Sequence, residues 1–466
     1  MKNKHHTDLL IIGAGPGGYV AAIRAAKNGL KPTLVEKEWI GGTCLNVGCI
    51  PTKALIKSAR MIHEIAAGDM PGLGKIDIDV DFDGIMKNKD DVTEKLVGGI
   101  EYLLKHYEVD VIRGTATFKD DETVQIETEE ETLTYGFDSC VIASGSVPKH
   151  LSIEGIDLDV VKDSTQILSL EKLPSSMIVI GGGIIGMEFA FIFGMLGVDV
   201  TVLEFMPQIL PMIDKDVAKR LLRYAKKANI TVKTKAGAKK IEKTDAGKAK
   251  VTYERNDKTK TIEADLILEA VGRQPYVDGL GLRNTSINIE KNAVTVDETM
   301  KTSLENIYAI GDVTNKMQLA HVASHQGLIA VDNILGKDKK MDYTMVPSVV
   351  FTTPEIAYIG KTESQLKEEG IEYDVLKVPY AANGKALILN DRTGFIKTIQ
   401  DKDGNLLGAT VFGTDAEHLI APIMMTMHTG TDMVKDMIFA HPTIEELIHE
   451  MVSGLDKEAI HFIDDK

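Results

Sequence analysis

Cysteine is what this chain has least of. Three in 466 residues are too few for the disulfide framework of an extracellular protein. Positive charge is also short: the formal net charge is -16 and the pI near 5.3. A surface of that sign repels nucleic acid and anionic membrane at long range, which excludes both as main partners and leaves room for a basic protein. The N-terminal stretch MKNKHHTDLL has neither an apolar run nor a small-residue cleavage site. Nothing there reads as a secretory signal, so the expected location is the cytoplasm. One window, Met177 to Val198, is apolar enough to suggest a membrane span, with 22 residues and a single charge. Its three consecutive glycines exclude that reading. They part a four-residue apolar run from a helical pattern, as a strand, a tight turn and a buried helix would.

At this length about three domains are expected, and glycine, present 41 times, shows how two of them begin. Asp8 to Ile12 reads as a short apolar strand, followed by Gly13-Ala14-Gly15-Pro16-Gly17-Gly18 and an alanine-rich helix to about Asn28. Gly13 permits the turn, Gly15 admits a pyrophosphate, and Gly18 packs helix on strand, while the helix N-terminus turns N–H groups toward phosphate. A second strand, Pro32 to Val35, leads to Glu36, where an acid can bind ribose hydroxyls. The unit recurs as Met177 to Ile180, Gly181-Gly182-Gly183-Ile184-Ile185-Gly186, a helix, the strand Asp199 to Leu203, and Glu204. Gly181, Gly183 and Gly186 repeat the three glycine roles. Two such units imply two nucleotides.

Gly41 to Lys53, GGTCLNVGCIPTK, holds two of the three cysteines. Cys44 and Cys49 are too far apart for a C-x-x-C motif and lack the further ligands of a zinc or iron–sulfur site, so no metal is expected. The glycines at 41, 42 and 48 allow sharp turns and close approach to a flat ligand. Pro51 fits the first turn of a helix that runs on through Lys53. Cysteines at a helix start have lowered thiolate pKa values and exchange readily. Spacing alone leaves two readings open, a redox-active disulfide or two inert buried thiols. Cys140, in the apolar strand Cys140 to Ile142, reads as core. Elsewhere Asp91 to Tyr107 reads as an amphipathic helix, Ile76 to Phe82 as acidic sequence without chemistry, and Thr231 to Ile267 as β-prone. From about Tyr343 the pattern changes to alternating strands.

The cysteine segment closely resembles the active-site segment of the flavoprotein disulfide reductases, and in form the dihydrolipoamide dehydrogenase branch of that family. The likeness covers the chain from Asp8 to the final helix. It implies an α/β fold with two Rossmann-like dinucleotide-binding domains, one for FAD and one for NAD, and a C-terminal α+β dimerisation domain. The implied division is 1–146 for the FAD-binding domain with its redox disulfide and 147–273 for the NAD-binding domain. A return to the FAD-binding, central domain over 274–342 precedes the dimerisation domain, 343–466. On this resemblance Cys44 exchanges with substrate, Cys49 faces the flavin, and Lys53 lies near it. Glu204 suits NAD: it accepts hydrogen bonds from a ribose 2′-hydroxyl and repels a 2′-phosphate, and the following FMPQILP offers no arginine.

Further segments resemble family motifs. Ala143-Ser144-Gly145-Ser146 matches the turn out of the flavin domain, with serine for the usual threonine, and Ala270-Val271-Gly272-Arg273 matches the return turn beside the nicotinamide. Asn306 to Asp312 resembles the second flavin motif, whose aspartate binds the ribityl chain, and Ala320-His321 opens the next helix. The implied flavin set is Gly13, Gly15, Gly18, Glu36, Gly42, Thr43, Lys53, Ala116, Ser144, Gly145, Asp312 and Ala320. The implied NAD set is Gly181, Gly183, Gly186, Glu204, Gly272 and Arg273. Ser324-His325-Gln326-Gly327 departs from the usual glutamate-glycine, so no flavin-edge role is assigned to His325 or Gln326.

Near the end, Ala440-His441-Pro442-Thr443-Ile444-Glu445-Glu446 resembles the H-P-T-x-x-E segment, which makes His441 the acid/base and Glu446 its orienting carboxylate. Imidazole suits that work because its pKa lies near neutrality. The branch commonly has another histidine two positions earlier, where this chain has Phe439. The implied reaction oxidises protein-bound dihydrolipoamide to lipoamide and reduces NAD to NADH. His441 takes a thiol proton, the thiolate attacks Cys44, the second thiol closes the lipoamide ring, and Cys49 passes the electrons to FAD. Glu188, in so apolar a helix, needs a partner near the nicotinamide, and Lys53 is the expected one. The resemblance also implies a homodimer in which His441 serves the other subunit's disulfide. The expected partner is the lipoylated carrier domain of a 2-oxoacid dehydrogenase, acetoin-cleaving or glycine-cleavage system. One alternative is another FAD-dependent disulfide reductase. Glu204 argues against the NADP-dependent ones, and no cysteine follows Cys140 to match the C-terminal pair of mercuric reductases. The other alternative, a non-catalytic FAD/NAD-binding redox subunit, would not need Cys44, Cys49, His441 and Glu446 together.

Overall fold

A computed structural model describes residues 4–464 except 69–71, 73 and 75, so the first three residues of the N-terminal stretch lie outside the described residues. The chain opens with strand β1 (Lys4–Ile12), turns at Gly13, enters helix α1 (Pro16–Lys27) and returns in β2 (Pro32–Glu36). Pro16 suits the first helical turn because its φ is preset and its missing N–H would have no partner there. The cysteine segment forms α2 (Gly42–Val47) and α3 (Cys49–Ala67), with Gly48 between them. Helix α4 (Phe82–His106) starts well before the expected Asp91. Asp81 caps it by accepting the Gly84 N–H, and Asp83 places a negative charge in its first turn.

Strands β3 (Asp110–Arg113), β4 (Thr115–Phe118), β5 (Thr123–Glu127) and β6 (Thr132–Ile142) complete the first half of this unit. β3, β2, β1 and β6 run parallel, with Leu9 opposite Pro32 on one side and Ser139 on the other, while the first half of β6 carries β5 and β4 antiparallel. Where helices cover both faces, the strand segments 9–12, 34–35 and 140–142 are buried apolar runs. Cys140 lies fully buried in β6, and burial pushes its thiol well above the ordinary range.

After β7 (Ser146–Pro148) the second unit begins. It comprises β8 (Val161–Lys162), β9 (Ser176–Ile180), α5 (Ile184–Met195), β10 (Asp199–Glu204), α6 (Lys215–Lys227) and β11 (Ile230–Thr234). β12 (Ala236–Lys243), β13 (Ala249–Arg255), β14 (Lys258–Ala264) and β15 (Leu266–Glu269) follow. β11-β10-β9-β15-β8 form a parallel sheet and β12-β13-β14 an antiparallel one. The apolar window that imitates a membrane span is β9, its glycine turn and α5, which is buried continuously from Gly186 to Met195. Among the described residues no helix is long and apolar enough to cross a membrane.

β16 (Arg273–Pro275) runs back antiparallel to β7. Beyond β17 (Ile289–Glu290) and β18 (Ala293–Val294), β19 (Ile307–Ala309) rejoins the first sheet beside β6, with Ile307 opposite Cys140. Helix α7 (Ala320–Ile334) packs on α1 so closely that a methyl on Gly327 would lie 2.7 Å from the Gly17 carbonyl oxygen.

The last unit contains β20 (Ser348–Val350), β21 (Ile356–Gly360), α8 (Glu363–Glu369), β22 (Asp374–Pro379), α9 (Gly384–Ile388), β23 (Phe395–Gln400) and β24 (Leu406–Phe412). It ends with α10 (Ala416–Thr429), α11 (Asp432–Lys435) and α12 (Glu446–Leu455). One face of its antiparallel sheet packs on α10 and α12 through Val378, Ile396, Val411, Leu419, Ile423, Leu447 and Met451. The other face rests on α6, where Phe412 meets Tyr224 and the Arg220 guanidinium covers Phe395. Beside them Lys397, 1% exposed, binds Asp214 at 2.8 Å, Asp216 at 3.3 Å and Glu363 at 2.5 Å. Its ammonium fills the middle of that carboxylate group.

A second buried cluster ties α3 to this unit. Arg60 donates to Glu355 at 2.6 Å and to the Thr352 carbonyl at 3.3 Å. One buried oxygen of Glu355 and one of Glu417 have no other hydrogen-bond partner, and the two side chains meet. Two such oxygens are satisfied together only when they share a proton. Burial and the adjoining Glu355 push Glu417 up from its ordinary 4.5 to about 8. The native state therefore holds a proton that the unfolded chain has released, and stability falls as pH rises from about 4.5 to about 8, then levels off. Glu417→Gln keeps the hydrogen bond and removes the titration, so its unfolding midpoint is expected to gain on wild type through that window. Urea unfolding of both proteins at several pH values measures this; parallel curves would show that Glu417 holds no proton.

Candidate active site

Both glycine turns are built for a dinucleotide, and their sterics say which glycine does what. Gly13 has φ +103, and a Cβ there would meet the Ala143 oxygen at 2.3 Å; at Gly18 it would meet the Gly13 oxygen at 1.8 Å. At Gly15 the nearest atom is 3.9 Å away, so the space over the helix N-terminus is open. The second turn repeats this: Gly181 has φ +111 and Gly186 would meet the Gly181 oxygen at 2.0 Å, but a Cβ at Gly183 meets nothing within 4 Å. The two acids behave alike. Glu36 accepts the N–H groups of Ala14 at 2.7 Å, Glu38 at 2.8 Å and Trp39 at 3.2 Å. Glu204 accepts those of Gly182 and Met206, each at 2.6 Å. Each carboxylate thus fixes its own turn and keeps lone pairs for a ribose. A cavity beside the first turn is lined by Gly13, Glu36, Ala116, Ser144 and Tyr276.

The cysteine segment is anchored on that first turn. The Gly41 N–H donates to the Ala14 carbonyl at 2.9 Å, and Gly42, with φ +59, comes so near that a Cβ would lie 2.6 Å from the Gly15 Cα. Asn46 holds the loop by donating to the Ile40 and Gly42 carbonyls at 2.9 Å. Cys44 and Cys49 are free thiols in hydrogen-bonding contact. Donation from Cys44, with the charge of Lys53 behind it, draws Cys49 down to about 7 against the cost of burial, while Cys44 is pushed up as the proton holder. Cys49 also begins α3, where the helix dipole favours an anion. Lys53, one turn on, binds the buried Glu188 at 2.8 Å and lies 4.7 Å over the Phe351 ring. The other Glu188 oxygen accepts the Phe351 N–H at 3.0 Å.

Next to the pair, Arg273 donates from Nε to the Ser146 hydroxyl at 2.7 Å, and from Nη2 to the Ser146 carbonyl at 2.6 Å and the Thr43 hydroxyl at 3.4 Å. Ser146 donates to Asp312 at 2.5 Å; burial pushes this aspartate up, opposed by Ser146 and Arg273. The backbones of Gly145 and Gly272, at φ +73 and +110, leave open space, and Ser144 donates to the Tyr276 carbonyl at 2.8 Å. Ala320 is the first residue of α7. Gln326, fully buried in that helix, accepts the Gly311 N–H at 2.6 Å and donates to the Tyr343 hydroxyl at 2.8 Å, which fixes the turn that presents Asp312. His325 points outward.

His441 lies apart from these groups, 77% exposed on the last unit, with Nδ1 3.0 Å from Glu446. The second Glu446 oxygen accepts the Thr443 N–H at 2.9 Å. Against the upward push of burial, that N–H and His441 hold the carboxyl below its ordinary range. Among the described residues no hydrogen bond joins His441 to Cys44 or Cys49 of its own chain.

Residues 7–327 match the family model described as pyridine nucleotide-disulphide oxidoreductase, and residues 346–452 match its dimerisation domain. The chain is 41% identical to the dihydrolipoyl dehydrogenases of Geobacillus stearothermophilus and Staphylococcus aureus, over 98% of both chains in each case. The protein belongs to the pyridine nucleotide-disulphide oxidoreductases. A solved relative, LpdA from Mycobacterium tuberculosis, superposes with a TM-score of 0.89 at 28% identity, covering 97% of this chain and 99% of that one.

Within this oxidoreductase Gly13, Glu36, Ala116 and Ser144 line one cavity, Gly15 meets Gly42 of the adjoining cysteine loop, and Asp312 is linked to Thr43 of that loop through Ser146 and Arg273. Arg273, grouped by resemblance with the NAD residues, turns its guanidinium to Ser146 and to Thr43 of the cysteine loop. His441 and Glu446 meet each other and stand away from the cysteines. Two contributors escaped the sequence reading. The Phe351 N–H fixes Glu188, a main-chain contact with no side-chain signature. Gln326 was visible only as a departure from the family pattern.

Proposed function

We propose that this oxidoreductase is a cytoplasmic dihydrolipoyl dehydrogenase that oxidises a protein-bound dihydrolipoyl group and reduces NAD. The observation that carries the reading is the coupled set Cys44, Cys49, Lys53 and Glu188. A dithiol whose inner sulfur ionises near neutrality beside a lysine–glutamate pair is equipped for thiol–disulfide exchange. The open glycines and the cavity at Gly13, Glu36, Ala116 and Ser144 fit the phosphates and adenosine of FAD, and Gly183 with Glu204 fits those of NAD. Bound FAD supplies the two-electron relay between dithiol and nicotinamide.

The chain's own residues do the rest. His441, held by Glu446, takes the proton from a substrate thiol, and the thiolate attacks the Cys44 sulfur of the oxidised pair, breaking the Cys44–Cys49 bond and releasing Cys49 as a thiolate. The second substrate thiol then attacks the substrate sulfur of the mixed disulfide and its proton passes to the departing Cys44, so the lipoyl ring closes, Cys44 leaves as a thiol, and the first proton stays on His441. Lys53 stabilises the Cys49 thiolate, and Glu188 holds Lys53 in place. Because His441 stands away from its own chain's cysteines, a homodimer joins the two halves of the site; the match to the family's dimerisation domain supports this. We assign FAD binding to residues 1–146 and 274–342, united by the β6–β19 pairing, NAD binding to 147–273 and dimerisation to 343–466. The partner is a lipoylated carrier domain of a 2-oxoacid dehydrogenase, acetoin-cleaving or glycine-cleavage system.

Steady-state oxidation of dihydrolipoamide tests the reading. Turnover is expected with NAD, and kcat/KM with NADP is expected to be lower by roughly a hundredfold, because Glu204 would face a 2′-phosphate. An enzyme fully loaded with FAD yet inert toward dihydrolipoamide would sink the substrate assignment.

A further inference from the structure

Helix α12 carries a second His–Glu pair one turn beyond the first. Glu446 opens the helix and Glu450 follows at the spacing that places two side chains on one helical face, about 5–6 Å apart at Cβ. His441 approaches Glu446 from upstream. The tail after α12 folds back so that His461 approaches Glu450 from downstream. His461 Nδ1 is 2.7 Å from one Glu450 oxygen, and the other accepts the N–H groups of Ile460 at 3.3 Å and His461 at 3.2 Å. Phe462 packs over Gly454, where a Cβ would meet its ring at 2.7 Å, and the Ala459 N–H donates to Asp464 at 3.1 Å. Glu450 is 10% exposed and His461 65%. The tail is therefore fixed, and its imidazole is exposed within this chain on the end of the molecule that carries the first pair. Against the push of burial, the influences that hold Glu446 below its ordinary range include His461 as well as Thr443 and His441.

Of the ionisable groups around this face, Glu450 and Asp464 bind the tail itself. His449 packs edge-on against Phe439, Lys435 pairs with Asp456 at the far end of α12, and Asp374 lies at the exposed start of β22. Glu445 precedes the helix and acts on Asp415. Lys377 and Lys397 point to the opposite face of the sheet, toward Asp216 and Asp214.

We propose that His461 is a positioning residue for the acid/base: tethered by Glu450, its imidazolium offsets the pull of Glu446 on His441 and keeps His441 free to accept a thiol proton. The inference rests on His441 being the acid/base of dihydrolipoamide oxidation. With His461 replaced, the fields of Glu446 and of the now unpartnered Glu450 act on His441 together, and both favour its charged form. An imidazole gains its charge on the acidic side of neutrality, where this offset matters.

The test is kcat/KM for dihydrolipoamide against pH on the full-length FAD-loaded enzyme, for wild type, His461→Gln, His461→Lys and His441→Gln. His461→Gln is expected to move the acid limb upward and lower kcat/KM there by about two- to threefold, the size for unit charges a helical turn or two apart at a high effective dielectric, with far less change on the alkaline plateau. The loss should shrink with added salt. His461→Lys keeps a cation and should restore the limb. A limb that does not move in His461→Gln, a loss uniform in pH, or a lysine variant that behaves like the glutamine one overturns the inference. His441→Gln tells the two failures apart: a loss of orders of magnitude there with an unmoved limb in His461→Gln sinks this inference alone. Intact turnover in His441→Gln removes the acid/base reading and this inference with it.

Discussion

His441→Gln is expected to slow dihydrolipoamide oxidation by about 10²- to 10⁴-fold at neutral pH, the range for losing a positioned general base, while leaving FAD content and NADH-driven reduction of an artificial acceptor unchanged. The split follows from placement. His441 is exposed within its own chain with Glu446 at 3.0 Å, so its removal disturbs no packing inside that chain. In the proposed mechanism it takes no part in the chemistry between Cys49 and the nicotinamide. Glu446→Gln should cost less than His441→Gln, because the amide oxygen can still accept either the imidazole N–H or the Thr443 N–H. Equal losses in both half-reactions would mean that the substitution damages the fold and would withdraw the base assignment.

A second large effect separates glycines that look alike in sequence. Gly18→Ala places a methyl 1.8 Å from the Gly13 carbonyl oxygen and 2.9 Å from its carbon, both backbone atoms that cannot yield without dismantling the β1–α1 turn. The expected outcome is protein that is insoluble or devoid of FAD. Gly183→Ala meets nothing within 4 Å. That variant should fold, retain FAD and keep its unfolding midpoint, yet show a KM for NAD raised by roughly ten- to a hundredfold. In the proposed placement of NAD the methyl stands where phosphate approaches the α5 N-terminus, and hydrogen bonds to a charged group are lost. Flavin absorbance per chain and the NAD dependence of the rate measure the two. A Gly183→Ala enzyme with an unchanged KM would contradict the nucleotide placement.

What the sequence told and what it withheld divide by range. Gly13, Gly18, Gly181 and Gly186 were legible because each performs a local geometric task that no other residue can, and Glu36 and Glu204 because each ends a strand beside such a turn. The cysteine loop was legible as a motif. Its anchoring through Gly42 against Gly15 was not, since nothing in the sequence says which turn it leans on. The start of α4 was missed because its cap, Asp81, lies in a stretch that reads only as acidic. Glu188 with Lys53 was foreseen from the cost of an unpaired acid in an apolar helix. Glu355 with Glu417 was not, for one sits in a loop and the other on a helix with nothing in the chain between them to announce the contact. His461 lies in a tail whose fold-back depends on Glu450 and on Phe462 finding Gly454, which are tertiary facts.

The central claim is that electrons leave the dihydrolipoyl group through Cys44 and Cys49. The most direct measurement mixes oxidised enzyme anaerobically with one equivalent of dihydrolipoamide and no NAD, quenches with an alkylating agent at times spanning one turnover, and maps the label by mass. Label should appear on Cys44 and Cys49 within the catalytic time, disappear when NAD is added before the quench, and never reach the buried Cys140. Turnover of dihydrolipoamide with Cys44 and Cys49 unlabelled throughout would contradict the account.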